Sequence, residues 1–95
     1  MPELDPLIHA PARLQAMTTL SAVSEAEFAT LRAALEVSDS VLSKHLSALA
    51  DAGYVRIRKG VLAGRRTTWV ALTSTGRKAL RDHVAALRRL IDLVP

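Results

Sequence analysis

The change of hydrophobic period at Gly53 constrains this chain more than any other feature of its sequence. Before Gly53, apolar residues recur at helical spacing: Leu14, Met17 and Leu20, then Phe28, Leu31 and Leu35, then Leu42, Leu46 and Leu49. Each set marks one face of a helix. After Gly53, Val55 and Ile57 alternate with Arg56 and Arg58, the period of a strand. Thr67 to Leu72 is rich in β-branched and aromatic residues and reads as the returning strand, with Gly60 and Gly64 flanking a loop that ends in Arg65 and Arg66. The helical period then resumes with Leu80, Val84, Leu87, Ile91 and Val94, a heptad-like seam. The expected fold is mostly α with a small β-hairpin (α+β), in the order α-α-α-β-β-α, as one domain over residues 1–95.

Local signals place the boundaries. Leu4, Leu7 and Ile8 precede Pro11, which suits the first turn of a helix, so a short turn or helix is expected and then a helix over 11–22. Ser24 and Glu27 form an S-x-x-E capping box for a helix over 25–35. A break of three residues follows, Glu36, Val37 and Ser38, and Ser38 is the expected cap of the next helix, over 38–52. Gly53 is a good terminator for it. Thr73 caps a final helix over 74–93.

Charge is distributed unevenly. Residues 1–51 carry seven acids and three bases, whereas residues 52–81 carry eight bases (Arg56, Arg58, Lys59, Arg65, Arg66, Arg77, Lys78 and Arg81) and no acid. That stretch offers a surface for a polyanion. The absence of cysteine excludes a disulfide framework, a thiolate metal site and a cysteine nucleophile. There is no G-x-S-x-G and no glycine-rich phosphate loop, so the sequence carries no enzyme signature. No apolar run reaches membrane length and no signal-peptide pattern opens the chain, so no membrane role and a cytoplasmic location are expected.

Two helices joined by a three-residue break resemble a helix-turn-helix, with Leu31, Leu35, Val37, Leu42 and Leu46 where one helix must face the other. Arg32 stands where a small residue is usual, and Glu36 where glycine is frequent. Ser38-Asp-Ser-Val-Leu-Ser-Lys-His-Leu-Ser-Ala-Leu-Ala-Asp-Ala-Gly-Tyr-Val55 is similar to the recognition helix and first wing strand of winged-helix regulators. Gly64-Arg-Arg-Thr-Thr-Trp-Val-Ala-Leu-Thr-Ser-Thr-Gly76 resembles their second wing strand and the start of the next helix. The resemblance covers about Leu4 to Ile91 and is strongest to compact MarR-like and ArsR-like regulators. It implies a homodimer built from the terminal helices (4–22 and 74–93) and a palindromic duplex operator, with the 38–52 helix in the major groove.

The candidate DNA-binding residues follow from what each element leaves exposed. On the 38–52 helix they are Ser38, Ser40, Ser43, Lys44 and Ser47, short hydroxyls and one cation that permit close approach to bases and phosphates. On the basic hairpin they are Arg56, Arg58, Arg65, Arg66 and Thr67, suited to the backbone or minor groove. The expected dimer surface comprises Leu4, Leu7, Ile8, Val84, Leu87, Ile91 and Val94. His9, His45 and His83 show no metal-ligand spacing within one helix, and neither a metal nor a cofactor is expected. The resemblance implies that His45 packs beside a buried leucine or touches a phosphate. Trp69 is expected to pack on the sheet against a helix. Two other functions compete. One is a protein-interaction module without DNA binding, since fold does not fix function. The other is a switch gated by a small-molecule effector at the junction of body and dimer helices.

Overall fold

The computed structural model describes residues 3–95. Its elements run α1 (Pro6–His9), α2 (Pro11–Ser21), β1 (Ala26–Glu27), α3 (Phe28–Leu35), α4 (Asp39–Asp51), β2 (Val55–Leu62), β3 (Arg65–Leu72) and α5 (Ser74–Asp92). The sheet is antiparallel in the order β1-β3-β2, so the short first strand closes one edge and the β2–β3 hairpin forms the rest. No helix among the described residues is long and apolar enough to cross a membrane.

One core joins every layer. Met17 and Leu20 of α2, Leu31 and Leu35 of α3, Leu42, Leu46 and Leu49 of α4, Val55, Val70 and Leu72 of the sheet and Leu80 of α5 are all buried together. The three helical sets expected from periodicity therefore converge on one centre. Each leucine buried there is worth about 1.5–3 kcal/mol of transfer free energy.

The expected caps form at Ser38, whose Oγ accepts the Val41 N–H at 3.2 Å, and at Thr73, whose Oγ1 accepts the Gly76 N–H at 2.9 Å. The capping box does not form. Ala26 and Glu27 pair with Val70 and Trp69 as a strand, and α3 starts only at Phe28. Glu27 is unavailable for a reciprocal cap because its carboxylate accepts the Thr67 hydroxyl at 2.8 Å. A second correction concerns the hairpin. Gly60 lies inside β2 opposite Thr67, and the connection shrinks to Ala63-Gly64. Both turn residues have positive φ, 52° and 78°, the mirror-image turn whose twist suits a two-residue hairpin. Gly60 sits in the strand beneath the Trp69 indole, which an added Cβ would meet at 3.0 Å.

Ile8, expected on the dimer surface, is fully buried in the chain's own core. It therefore cannot meet a partner. Leu4 and Leu7 are half-buried, as are Val84 and Leu87, while Ile91 and Val94 are exposed. The seam of α5 thus divides: Leu80 packs inward, and the last turn projects outward.

Candidate nucleic-acid interface

The interface is built on the α3–α4 pair. The turn between them needs a left-handed residue, and Glu36 supplies it with φ 56° and ψ 44°. This is the position where glycine is frequent, so glutamate holds there a conformation that costs roughly 1 kcal/mol for a residue with a Cβ. Arg32, the other departure from the common pattern, has a use in the geometry. Its Nε lies 2.9 Å from Asp39 Oδ1, tying α3 to the first residue of α4 across the turn. Both side chains are solvated, so the pair fixes the angle more than it adds stability.

With Leu42, Leu46 and Leu49 buried, α4 exposes Ser40, Ser43, Lys44 and Ser47 as expected. Ser38 is exposed too, with its hydroxyl occupied as the helix cap and 3.2 Å from that of Ser40.

The hairpin register decides which basic residues share this side. Val55 pairs with Leu72, Ile57 with Val70, Lys59 with Thr68 and Val61 with Arg66. Because side chains alternate across a strand, these residues lie on the face that continues from the core toward α4. Ser43, Ser47, Leu46, Phe28, Ile57, Lys59 and Thr68, with Asp39 at its end, line a cleft of about 310 Å³ between α4 and the sheet. Lys59, Thr68 and Phe28 were absent from the sequence-derived set. The signal for Lys59 was present: it shares the parity of Val55 and Ile57, the inward pair.

Arg56 and Arg58 carry the opposite parity and stand on the face away from α4. Arg58 is also occupied. Its Nη2 lies 2.7 Å from Glu25 Oε1, and its guanidinium carbon is 5.6 Å from the Trp69 ring centroid. Trp69 accordingly packs on an arginine and a glycine of β2. Thr67 faces the same way and donates to Glu27. These two contacts fasten the sheet to the segment entering α3. Arg65 and Arg66 are exposed at the hairpin tip. Among the described residues, Lys44, Arg56, Lys59, Arg65 and Arg66 form no ion pair, so their charge is free for an anionic partner.

The histidines sit behind this surface. His45 Nδ1 is 3.2 Å from the Arg13 guanidinium, and burial, then Arg13 and Lys44, push its pKa below the usual imidazole value. His83 is buried, accepts the Asp5 N–H at Nδ1 (2.9 Å) and packs with its ring centroid 5.4 Å from that of His9. Burial first, then His9, lower its pKa against the opposing pull of Asp5. No group of three or more His, Cys, Asp or Glu suited to a metal occurs among the described residues.

A trihelical core, a recognition-type helix with an uncluttered polar face and a basic two-stranded wing define a winged helix-turn-helix protein. The family described as "Winged helix DNA-binding domain" matches residues 12–91, and the chain belongs to that family. An uncharacterized protein of Methanocaldococcus jannaschii is 27% identical over 84 residues, 88% of this chain and 91% of that one. Among solved structures, a transcriptional regulator homologue from Pyrococcus horikoshii OT3 superimposes with a TM-score of 0.85 at 28% identity, covering 90% of this chain and 85% of its own. A MarR-family transcriptional regulator from Silicibacter pomeroyi superimposes with a TM-score of 0.67 at 27% identity, covering 94% of this chain but only 62% of the longer neighbour.

Proposed function

We propose that this protein is a transcriptional regulator, acting as a repressor, that binds a palindromic duplex operator as a homodimer. In this reading α4 enters the major groove with Ser40, Ser43, Lys44 and Ser47 toward the base edges. Lys59 and Arg66 on the near wing face, with Arg65 at the tip, meet phosphates or the minor groove. One observation carries the reading: the cleft in which Ser43 and Ser47 of α4 face Lys59 and Thr68 of the wing. It joins a face with little bulk to cations that have no internal partner. The winged-helix family and the regulators that share this fold support the same conclusion.

The dimer is assigned to the terminal helices. The end of α5 leaves Leu90, Ile91, Leu93 and Val94 exposed at 48%, 66%, 78% and 71%, an apolar tip with no cover from its own chain. A second copy would cover it and set two α4 helices about one DNA turn, roughly 34 Å, apart. Effector binding fits a groove of about 410 Å³ between the end of α2 and α5. Leu80 and Val84 form its floor and Arg81 and Arg88 its rim, which suits a small anionic amphiphile.

Selection of bound sequences from a random duplex pool tests the reading. Enrichment of an inverted repeat with half-site centres about 10–10.5 base pairs apart, or a multiple of that, is expected. A pool that returns no common sequence contradicts it.

A further inference from the structure

The segment Asp5–His9 is tied to the rest of the fold by His83 directly, by Tyr54, and by Arg13, which in turn points at His45; both histidine nitrogens involved are acceptors. The Asp5 backbone N–H donates to His83 Nδ1 on α5 at 2.9 Å. The Leu7 carbonyl accepts from Arg13 Nε on α2, and the same guanidinium points Nη1 at His45 Nδ1 on α4, 3.2 Å away. A backbone amide and a guanidinium can only donate. Each imidazole must therefore be neutral, with its single proton on Nε2. In His83 that Nε2 is buried without a partner.

A second proton on either ring has nowhere to go but Nδ1, where it meets an existing donor. For His83, the groups facing it are Asp5 and His9 of the N-terminal segment. Both oxygens of the Asp5 carboxylate already accept a donor. Its Oδ1 accepts the Leu7 N–H at 2.9 Å, capping α1, and its Oδ2 accepts the Tyr54 hydroxyl. Each oxygen keeps a free lone pair, but a new Nδ1–H meets the Asp5 backbone N–H first, so Asp5 must turn away from His83, and that turn pulls on the α1 cap and the Tyr54 contact. For His45, the charged groups acting on the ring are Arg13 and Lys44, both cations. Its protonation repels the arginine that holds Leu7.

We propose that proton uptake at His83 and His45 undocks Asp5–His9 from α5 and α2, making the N-terminal segment a proton-responsive strap. If the terminal helices form the dimer surface, as proposed above, the same release loosens the pairing of two copies in mild acid.

Amide hydrogen exchange of the full chain, corrected for intrinsic rates, tests this at the Asp5 and His9 amides. Protection is expected to fall by about tenfold or more between about pH 7.5 and about pH 5.5, while the α3 and α4 amides keep theirs. His45→Asn with His83→Asn keeps an amide oxygen near each Nδ1 but removes the titration, so protection should become flat with pH. Loss of protection that persists in that variant, or unchanged protection in the wild type, overturns the proposal. Ring nitrogen shifts of the wild type give a readout that needs no variant: both rings must be the Nε2–H form above neutral pH, and an Nδ1–H form at either overturns the strap. Sedimentation of the same samples separates the two ideas. Undocking without a change of mass supports the strap and counts against the terminal helices as the dimer surface.

Discussion

The Arg58 guanidinium lies over the Trp69 indole, 5.6 Å from carbon to ring centroid, while the same group reaches the Glu25 carboxylate at 2.7 Å. One arginine therefore spans the three-stranded sheet, from β2 across β3 to the residue before β1. A charge that looks available in the sequence is an internal fastener in the fold.

Arg58→Ala should accordingly act on stability more than on DNA. The exposed ion pair and the cation–π contact together are worth about 0.5–1.5 kcal/mol. The melting temperature should fall by several degrees, and the emission of Trp69 should shift as its cover is removed. Operator affinity should stay within about twofold, whereas Lys59→Ala should weaken binding on all sequences and reduce the salt slope by about one. Parallel melting curves and titrations on the two variants check this.

Gly76→Ala should destabilise the protein although alanine is the better helix former. A Cβ at Gly76 would stand 2.0 Å from the Tyr54 carbonyl oxygen and 2.8 Å from its carbon, both backbone atoms. The gain of up to about 1 kcal/mol in helix propensity is outweighed by a steric cost of about 1–3 kcal/mol or more. Denaturant unfolding should show a lower midpoint. A midpoint at or above wild type would mean that α5 does not press on Tyr54 as described.

Glu36→Gly should have the opposite sign. Glycine removes the left-handed penalty at φ 56°, roughly 1 kcal/mol, against a somewhat smaller gain in unfolded-chain entropy. A net stabilisation of a few tenths of a kcal/mol is expected, and Glu36→Val should cost more than 1 kcal/mol. Urea midpoints for the pair give the test.

Stability should fall as pH drops through the range where histidine titrates. His45 and His83 both have depressed pKa values in the fold, His45 through burial and then Arg13 and Lys44, His83 through burial and then His9 against the opposing pull of Asp5. Free histidine titrates near about pH 6.5, so below that pH the unfolded chain binds more protons than the folded one and is favoured by acid. The folded state keeps this advantage above pH about 6.5 and loses it as pH falls through the depressed values. Melting temperatures across that window should decline in the wild type and decline less in His83→Asn.

The helices, their caps at Ser38 and Thr73 and the buried leucines were legible in the sequence because each depends on spacing within one element. The polar face of α4 was legible for the same reason. What the sequence misplaced depends on pairing between distant segments. Ser24 and Glu27 match a capping box locally, yet Glu27 is claimed by Thr67, forty residues on. Ile8 reads as surface beside Leu4 and Leu7 until α2 and α5 close over it. The wing cations are legible as a group, but which of them share the α4 side depends on the β2–β3 register, which pairs Lys59 with Thr68 and Arg58 with Trp69.

The central claim is that α4 and the near wing face form one duplex-binding surface. Titration of a selected operator duplex over a range of salt, with the wild type and with Ser43→Ala, Lys44→Ala and Lys59→Ala, tests it most directly. The account predicts log affinity falling linearly with log salt, a slope reduced by about one for each lysine removed, and loss of preference for the selected sequence with Ser43→Ala. Equal affinity for operator and random duplex, with no change in any variant, would contradict it.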